Sequence, residues 1–378
     1  MAVVANEKRP DKMYENLYLD LHDTPFPDDF IDVKNVKPLK DYNVLELFAG
    51  AGGLALGLEQ SGFKEVGLVE IDKYACATLR HNRPEWNVIE EDITKITDEY
   101  DEGIYKYVDD GLSIDVVSGG FPCQSFSYAG KRMGLEDTRG TLFYNYAKVL
   151  EQVQPKMFIA ENVRGLLTHD HGRTLETIID VFSQMGYKVT YKVLNAWEYG
   201  VAQKRQRMII IGIRNDIDTV YQYPAPHEYK PVLKDVLQNV PESVGQEFSS
   251  AKADVMKLVP AGGYWRDLPD QIAKDYMGKS YYTSGGRTGM ARRISWNEPS
   301  LTLTTSPSQK QTERAHPEEN RPFKTREYAR IQSFPDDWAF EGSTGQVYKQ
   351  IGNAVAVNFA KEIGKSVIAA LNDIDTKK

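Results

Sequence analysis

The chain has few cysteines and no long apolar run, and these two absences exclude several classes of protein. Its 378 residues include only two cysteines, Cys76 and Cys123, so neither a disulfide framework nor a cysteine-based zinc site is expected. No stretch approaches the roughly 20 apolar residues that a transmembrane helix needs. The first residues also lack the pattern of a secretory signal. We therefore expect a soluble globular protein in the cytoplasm.

An excess of positive charge is also missing. The chain carries 46 Lys and Arg against 54 Asp and Glu, which gives a formal net charge of −8 and argues weakly against a nucleic-acid partner. The charges are unevenly distributed, however. Acidic residues cluster between positions 90 and 110, whereas 279–330 is rich in Lys and Arg. A basic face on an acidic protein remains compatible with a polyanionic partner.

The order of the sequence patterns predicts two domains, as the length also suggests. Runs of β-branched residues alternate with helical patterns over 42–214, which predicts an α/β domain with a mainly parallel sheet. The alternation weakens over 215–322, where loop-like segments rich in Gly and Pro favour a smaller, mostly β domain. The predicted division is an N-terminal extension (1–41), a large domain (42–214), a small domain (215–322), a hinge (323–345) and a C-terminal helix that returns to the large domain (346–378).

A glycine-rich turn opens the large domain. The strand pattern ending at Phe48 leads into Gly50-Ala51-Gly52-Gly53, and a second strand ends in Glu70. Glycines let the chain turn sharply and let a ligand approach the main chain, and a carboxylate in this position can accept both hydroxyls of a ribose. The pattern predicts an adenosine cofactor. It also fits a dinucleotide fingerprint, so a nicotinamide or flavin enzyme remains open at this point.

Two reactive side chains follow predicted strands. Gly119, Gly120 and Pro122 break a buried strand and place Cys123 at its carboxyl end, where reacting groups gather in open α/β sheets. A free cysteine is more often a small buried apolar residue, so Cys123 alone identifies no chemistry. Glu161 comes directly after the next strand. Together the two residues predict a nucleophile beside a proton donor.

Two further features leave alternatives open. Arg205 and Arg207 precede an apolar strand, where they are either a solvated edge or donors to a base carbonyl or phosphates. His169 and His171 are residues of a type that binds metals, but they fit a turn better and no third ligand is evident, so no metal is expected.

Six motifs in this order resemble those of the C5-cytosine DNA methyltransferases. They are Phe48-x-Gly50-x-Gly52, Glu70, Pro122-Cys123-Gln124, Glu161-Asn162-Val163, Gln203-x-Arg205-x-Arg207 and Gln350-Ile351-Gly352-Asn353-Ala354-Val355. The resemblance runs from about position 43 to the C-terminal helix. It implies a Rossmann-like sheet of the S-adenosylmethionine-dependent methyltransferases with a smaller, mostly β target-recognition domain. It also implies S-adenosyl-L-methionine as cofactor and S-adenosyl-L-homocysteine as product.

The same resemblance assigns roles to particular residues. Cys123 is expected to add to C6 of a flipped-out cytosine, Glu161 to engage N3, and Arg207 to hold O2, with Arg205 in the same catalytic group. The residues expected to line the cofactor pocket are Phe48, Gly50, Gly52, Glu70, Ile71, Asp92, Ile93, Pro122 and Asn353. Relatives often carry tryptophan where Ile71 stands, so aliphatic packing is expected to replace stacking on the adenine.

The expected partner is double-stranded DNA, with a cognate restriction endonuclease acting on the same site as a further candidate. Residues expected to contact DNA are Gln124, Ser127, Lys131 and Arg132 in the loop after Cys123, and Arg287, Arg292, Arg293, Gln309 and Lys310 in the small domain. A monomeric bacterial enzyme of the restriction-modification type, without membrane attachment, fits best. A transfer-RNA methyltransferase of the same fold is the alternative, whereas a dehydrogenase would leave Cys123 and Glu161 without a role.

Overall fold

A computed structural model describes residues 29–99, 101–122, 138 and 141–377. Cys123 and the predicted DNA-contacting residues Gln124, Ser127, Lys131 and Arg132 lie outside the described residues.

The strands fall mostly in the first 214 residues. They are β1 (Phe30–Ile31), β2 (Tyr42–Leu47), β3 (Phe63–Glu70), β4 (Val88–Glu90), β5 (Val116–Gly119), β6 (Met157–Val163), β7 (Tyr187–Asn195), β8 (Gln203–Lys204), β9 (Gln206–Arg214), β10 (Tyr223–Pro224) and β11 (Ser300–Leu301). Within the described residues, a seven-stranded sheet has the order β4-β3-β2-β5-β6-β9-β7. Two short parallel pairs, β1 with β10 and β8 with β11, lie outside it.

Strand direction in this sheet determines which residues meet. The strands β4, β3, β2, β5 and β6 are parallel, so their carboxyl ends share one edge of the sheet. β9 runs antiparallel to β6 and pairs Arg207 with Val163. The amino end of β9 therefore lies at that same edge, beside the carboxyl end of β6.

Helices cover both faces of the sheet. The helices are α1 (Gly53–Ser61), α2 (Lys73–Asn82), α3 (Ile93–Asp98), α4 (Leu142–Val153), α5 (Arg173–Gln184), α6 (Leu233–Val236), α7 (Ser250–Met256), α8 (Asp270–Met277), α9 (Thr325–Ile331), α10 (Thr344–Asn353) and α11 (Val357–Thr376). On one face, Phe143 and Tyr146 of α4 and Phe182 of α5 pack with Phe158 of β6 as a cluster of aromatic rings. On the other face, α11 packs against α1. The predicted Rossmann-like α/β class is confirmed.

The segment 215–322 has a hydrophobic cluster of its own, which includes Met256, Trp265 and Met290. It contains less regular strand than the sequence predicted, because its strands are the two-residue β10 and β11 with isolated bridges at Arg293–Ala315 and Ala315–Pro322. Glycines with positive φ, such as Gly262 and Gly285, interrupt its chain, and side chains supply donors that a regular ladder would otherwise provide.

Among the described residues, no helix is both long enough and apolar enough to cross a membrane.

Candidate active site

A glutamate and an arginine form an ion pair at the edge of the sheet where β6 ends and β9 begins. Arg207 Nε lies 2.7 Å from Glu161 Oε1, and the two side chains are only 12% and 13% exposed. The contact is diagonal across the strands, since Glu161 pairs with Ile209 and Val163 pairs with Arg207. An ion pair with so little exposure fixes the orientation of both groups. The structure thus brings the predicted site residues Glu161 and Arg207 together at this edge of the sheet.

The end of β5 packs directly against this ion pair. A Cβ atom on Gly120 would lie 2.8 Å from Glu161 Oε2, so the main chain passes close to the carboxylate. The buried Asn162 donates a hydrogen bond from Nδ2 to the carbonyl of Phe121 at 2.9 Å. Pro122 is exposed and is the last described residue before Cys123. The segment that leads to Cys123 is thus tied to the strand that carries Glu161.

An open pocket adjoins the ion pair. Its volume is about 490 Å³, and its lining consists of Val163, Arg164, Gly165, Asn195, Lys204, Gln206, Arg207 and Thr302. Arg164 donates to the Gln206 side chain at 2.9 Å, and the Thr302 hydroxyl donates to the Lys204 carbonyl at 2.7 Å. With Arg164, Lys204 and Arg207 in its wall, the pocket favours an anionic ligand.

The glycine turn and Glu70 form a second concentration of polar groups at the same edge. Glu70 Oε2 accepts the amide of Gly50 at 2.7 Å, and Glu70 Oε1 accepts the amides of Ile71 and Asp72 at 2.9 and 2.7 Å. Gly50 has φ +55°, and no atom lies within 4 Å of the position of a Cβ atom on it. Phe48 also has positive φ, at +57°. The turn is therefore held from one side by a carboxylate and is open on the other.

The remaining predicted cofactor residues have different environments. Ile71 is 64% exposed despite being aliphatic, and Asn353 is exposed at the end of α10. Asp92 caps α3 by accepting the amide of Thr94 at 2.9 Å, and Ile93 is buried beside it. Gly52 has a packing reason for lacking a side chain, because a Cβ atom there would lie 2.7 Å from Leu79 Cδ2.

Comparison with known proteins identifies the family. A family model described as C-5 cytosine-specific DNA methylase matches residues 42–369. The chain belongs to this family. The resemblance seen in the motifs is confirmed, and the protein is a DNA cytosine-5 methyltransferase.

Individual relatives are similar over most of the chain. The type II methyltransferase M.Sau96I of Staphylococcus aureus is 62% identical over 352 residues, which are 92% of this chain and 80% of the relative. The type II methyltransferase M.Eco47II of Escherichia coli is 55% identical over 346 residues, 89% and 81% of the two chains. A solved Escherichia coli structure, described as a prophage-encoded DNA modification methyltransferase, has 25% identity and a TM-score of 0.63 over 88% of this chain and 100% of the other.

Arg205 of the methyltransferase is placed differently from the catalytic role predicted for it. Its side chain is 2% exposed and donates to the carbonyls of Leu303, Gly352 and Ala354 at 3.2, 3.0 and 3.0 Å. Burial and the nearby charge of Arg207 lower the pKa of Arg205 to about 9. Its guanidinium thus contacts the main chain and is absent from the pocket wall, because the carbonyls from later segments use its donors.

The side chains of two predicted DNA-contacting residues of the methyltransferase, Arg292 and Arg293, bind other groups of the same protein. Arg293 is buried and donates to the carbonyls of Val259, Met256, His316 and Glu319. This contradicts a DNA-contacting role for Arg293, since its guanidinium supplies main-chain hydrogen bonds of the 215–322 segment. Arg292 forms an ion pair with Glu298 at 2.6 Å with its side chain 13% exposed.

The other predicted DNA-contacting residues lie nearer the surface. Arg287 is exposed, has φ +43° and donates to the Thr283 hydroxyl. Lys310 is exposed, donates to the Tyr276 carbonyl and stands over that residue's ring. Gln309 is exposed and directly precedes Lys310 in the chain.

Sequence reasoning missed several residues that line the pocket. Arg164 directly follows the Glu161-Asn162-Val163 motif and Lys204 lies inside the Gln203-x-Arg205-x-Arg207 motif, so their position in the chain could have indicated them. Thr302 comes from a part of the chain that carried no motif. No sequence signal placed it beside Arg207.

Among the described residues, neither Cys76 nor the turn with His169 and His171 forms a concentration of polar groups like those around Glu161 and Glu70. Cys76 is buried with its Sγ 3.4 Å from the Glu70 carbonyl, and burial raises the pKa of its thiol to about 12. His169 Nδ1 lies 2.7 Å from the Thr174 hydroxyl. Within the described ranges, no group of three or more His, Cys, Asp or Glu side chains has an arrangement that could hold a metal ion.

Proposed function

We propose that this methyltransferase is a sequence-specific enzyme of the type II class that uses S-adenosyl-L-methionine to methylate C5 of a cytosine flipped out of duplex DNA. The observation that carries the proposal is the nearly buried Glu161–Arg207 pair. It stands between the segment leading to Cys123 and a pocket with cationic walls. A pocket of about 490 Å³ is within the range of small-ligand sites and suits one nucleotide with its phosphate.

The chemistry assigns one step to each side chain. A free thiol is only a few per cent thiolate at neutral pH, so the site has to promote ionisation of Cys123. The thiolate forms a bond to C6, and the electron pair of the C5–C6 bond moves toward C5 while N3 is held by Glu161. Arg207 fixes the carboxylate that performs this task and carries further N–H donors for O2.

The second half of the reaction restores the base. When bound, S-adenosylmethionine supplies an electrophilic methyl group on its sulfonium. C5 of the cytosine takes that methyl group, then loses its proton to a base, and the electron pair expels Cys123 from C6. C6 cannot be attacked within the base stack, so the cytosine has to leave the helix at a cost of about a few kcal/mol.

The residues present fit the cofactor. Glu70 offers carboxylate oxygens to ribose hydroxyls, the open side of Gly50 allows close approach, and the exposed Ile71 offers an apolar surface to the adenine. Phe48, Asp92, Ile93, Pro122 and Asn353 are proposed to complete this pocket, and Gly52 to shape its turn.

DNA is proposed to lie between the sheet edge and the 215–322 segment, which we assign as the target-recognition domain. Thr302 belongs to that segment and lines the same pocket as Arg207, which supports this placement. The names of the bacterial relatives support a role in restriction-modification, with a cognate endonuclease and a monomeric methyltransferase as further proposals.

The test is covalent trapping on a modified substrate. The protein is incubated with labelled S-adenosylmethionine and duplex DNA containing 5-fluorocytosine, then separated on a denaturing gel. Fluorine at C5 cannot leave as a proton, so a labelled protein–DNA band is expected, and Cys123→Ala should abolish it. A band on transfer RNA alone would move the function to the alternative substrate, and no band on either would overturn the proposal.

A matched pair of variants tests Glu161. Glu161→Gln should slow methyl transfer strongly while cofactor affinity is retained. Glu59 also pairs with an arginine, Arg83, at 2.8 Å, and neither residue lines the pocket, so Glu59→Gln serves as the control and should keep full activity. Equal losses in both variants would make the role of Glu161 structural.

A further inference from the structure

Three buried polar side chains lie behind the pocket and connect segments that are far apart in the sequence. They are Gln203, Arg205 and Gln332, called here the polar cluster. Each is at most 2% exposed. Gln203 Nε2 donates to Gln332 Oε1 at 2.9 Å, so the two amides are joined directly.

The cluster binds the main chain on two sides. One side faces the pocket lined by Arg207 and Thr302, called here the target pocket. There, Gln203 Oε1 accepts the amide of Leu303 at 2.8 Å and Arg205 donates to the carbonyl of Leu303 at 3.2 Å. Both main-chain polar groups of Leu303 are therefore held by the cluster. The preceding residue, Thr302, lines the pocket.

On the other side the cluster holds the turn between α10 and α11, called here the cofactor-side turn. Arg205 donates to the carbonyls of Gly352 and Ala354 at 3.0 Å each, and Gln332 donates to those of Ile351 and Ala354 at 2.9 and 3.2 Å. The exposed residue between these carbonyls is Asn353, which the proposed function assigns to the cofactor. The turn also touches the pocket segment directly, because a Cβ atom on Gly352 would lie 2.3 Å from the Thr304 carbonyl.

The cost of this arrangement suggests a role beyond filling space. A buried cation without a carboxylate partner is expensive, and apolar packing of similar volume is often at least as stable. Among the described residues the Arg205 side chain donates to three carbonyls and its Nε has no partner, and burial lowers the pKa of its guanidinium. A guanidinium fork nevertheless fixes directions that a single ammonium cannot fix.

We propose that the polar cluster is a positioning device that aligns the wall of the target pocket with the cofactor-side turn and so couples the binding of DNA to that of the cofactor. This inference rests on the proposed function, which supplies the two ligands. Arg205 lies between β8 and β9 and is two residues from Arg207. Thr302 is one residue from Leu303, and Asn353 lies between two of the bound carbonyls. A shift of Arg205 therefore moves all three, and coupling through a shared element acts equally in both directions.

The experiment measures that coupling in Arg205→Lys, which keeps the charge and loses the fork. The Kd of S-adenosylhomocysteine is measured with and without duplex DNA, and the Kd of DNA with and without S-adenosylhomocysteine. Relative to the unaltered protein, the coupling factor should fall at least about fivefold, and kcat about ten- to a hundredfold. The Kd of S-adenosylhomocysteine alone should stay within about threefold, which a general loss of structure would not produce.

Arg293→Lys is the matched control. Arg293 is likewise a buried arginine that donates to main-chain carbonyls, but within the 215–322 segment. It should lower thermal stability while coupling and kcat stay close to those of the unaltered protein. Gln332→Met, which keeps the volume and loses two main-chain hydrogen bonds, repeats the test if Arg205→Lys does not fold.

The outcomes separate the two proposals. Unchanged coupling and kcat in a folded Arg205→Lys or Gln332→Met would overturn the positioning role while methyl transfer by the unaltered protein still supports the proposed function. Equal loss of coupling in Arg293→Lys would also overturn it. Failure of the unaltered protein to transfer methyl to DNA would instead overturn the proposed function.

Discussion

The contact between α1 and α11 leaves no room for a methyl group at Gly57. An added Cβ atom would lie 2.4 Å from Ala360 Cβ, 2.6 Å from the Val357 carbonyl oxygen and 2.8 Å from the Lys361 nitrogen. These are a short side chain and main-chain atoms, none of which can rotate away. Gly57→Ala therefore requires the two helices to separate.

The size of the effect follows from two opposing contributions. In an unobstructed helix, replacing Gly by Ala stabilises by roughly 0.5–1 kcal/mol. Favourable carbon–carbon contacts lie at about 3.5–4.0 Å, so the new methyl group is about 1 Å too close, and such overpacking costs roughly 1–3 kcal/mol. We expect a net destabilisation of about 1–2 kcal/mol, or a few degrees in Tm.

Gly345 in α10 provides the control, because a Cβ atom there would meet nothing closer than Ser343 Oγ at 4.0 Å. Gly345→Ala should leave Tm unchanged or raise it. Calorimetric unfolding measures both variants, and titration with S-adenosylhomocysteine should show weaker binding for Gly57→Ala alone, since α1 directly follows the glycine turn. A Gly57→Ala protein at least as stable as the unaltered one would refute the tight helix contact.

Three other variants test separate parts of the site. Burial and the charge of Glu70 raise the pKa of Glu46 above its ordinary 4.5. Above that pH the Glu46 carboxyl keeps its proton in the folded state but loses it in the unfolded state. The free energy of unfolding therefore falls as pH rises from about 4.5 toward the folded-state pKa. Glu46→Gln removes this loss, and its advantage in urea midpoint should grow between pH 4.5 and 8; a constant difference would contradict the cause. Ile71 is 64% exposed, and full burial of such a side chain contributes about 1.5–3 kcal/mol. Ile71→Ala should therefore weaken cofactor binding by roughly 5- to 30-fold at unchanged Tm. A lowered Tm would show instead that Ile71 packs within the protein. Arg287→Ala should reduce the salt dependence of DNA binding by about one unit of slope without changing Tm, and an unchanged slope would remove Arg287 from the interface.

The family motifs predicted Glu161 and Arg207 for one site, and strand direction explains why they meet. Glu161 lies near the carboxyl end of β6 and Arg207 near the amino end of β9, and the antiparallel pairing of these strands brings both ends to the same edge. The glycine turn and Glu70 follow in the same way from the pairing of β2 with β3.

The roles of individual arginines could not be predicted in this way. Arg205 and Arg207 are two residues apart in one motif, yet one is held by main-chain carbonyls and the other by a carboxylate. The difference depends on Leu303 and Gly352, which are distant in the chain and carry no side-chain signal for it. Arg293 illustrates the same limit, because a basic residue in a basic segment gives no sign that carbonyls from two other stretches surround it.

The hydrogen bonds of Glu70 also restrict how a ribose can bind. A carboxylate offers about four lone-pair sites, and the amides of Gly50, Ile71 and Asp72 already use three of them. One ribose hydroxyl can therefore bind without disturbing the turn. A second hydroxyl has to share a lone pair or displace an amide, and Gly50 is the residue whose Cβ side is open and whose positive φ only glycine adopts at low cost. Cofactor binding through both hydroxyls should therefore be accompanied by a movement of the glycine turn, with Gly50 as the point where it begins.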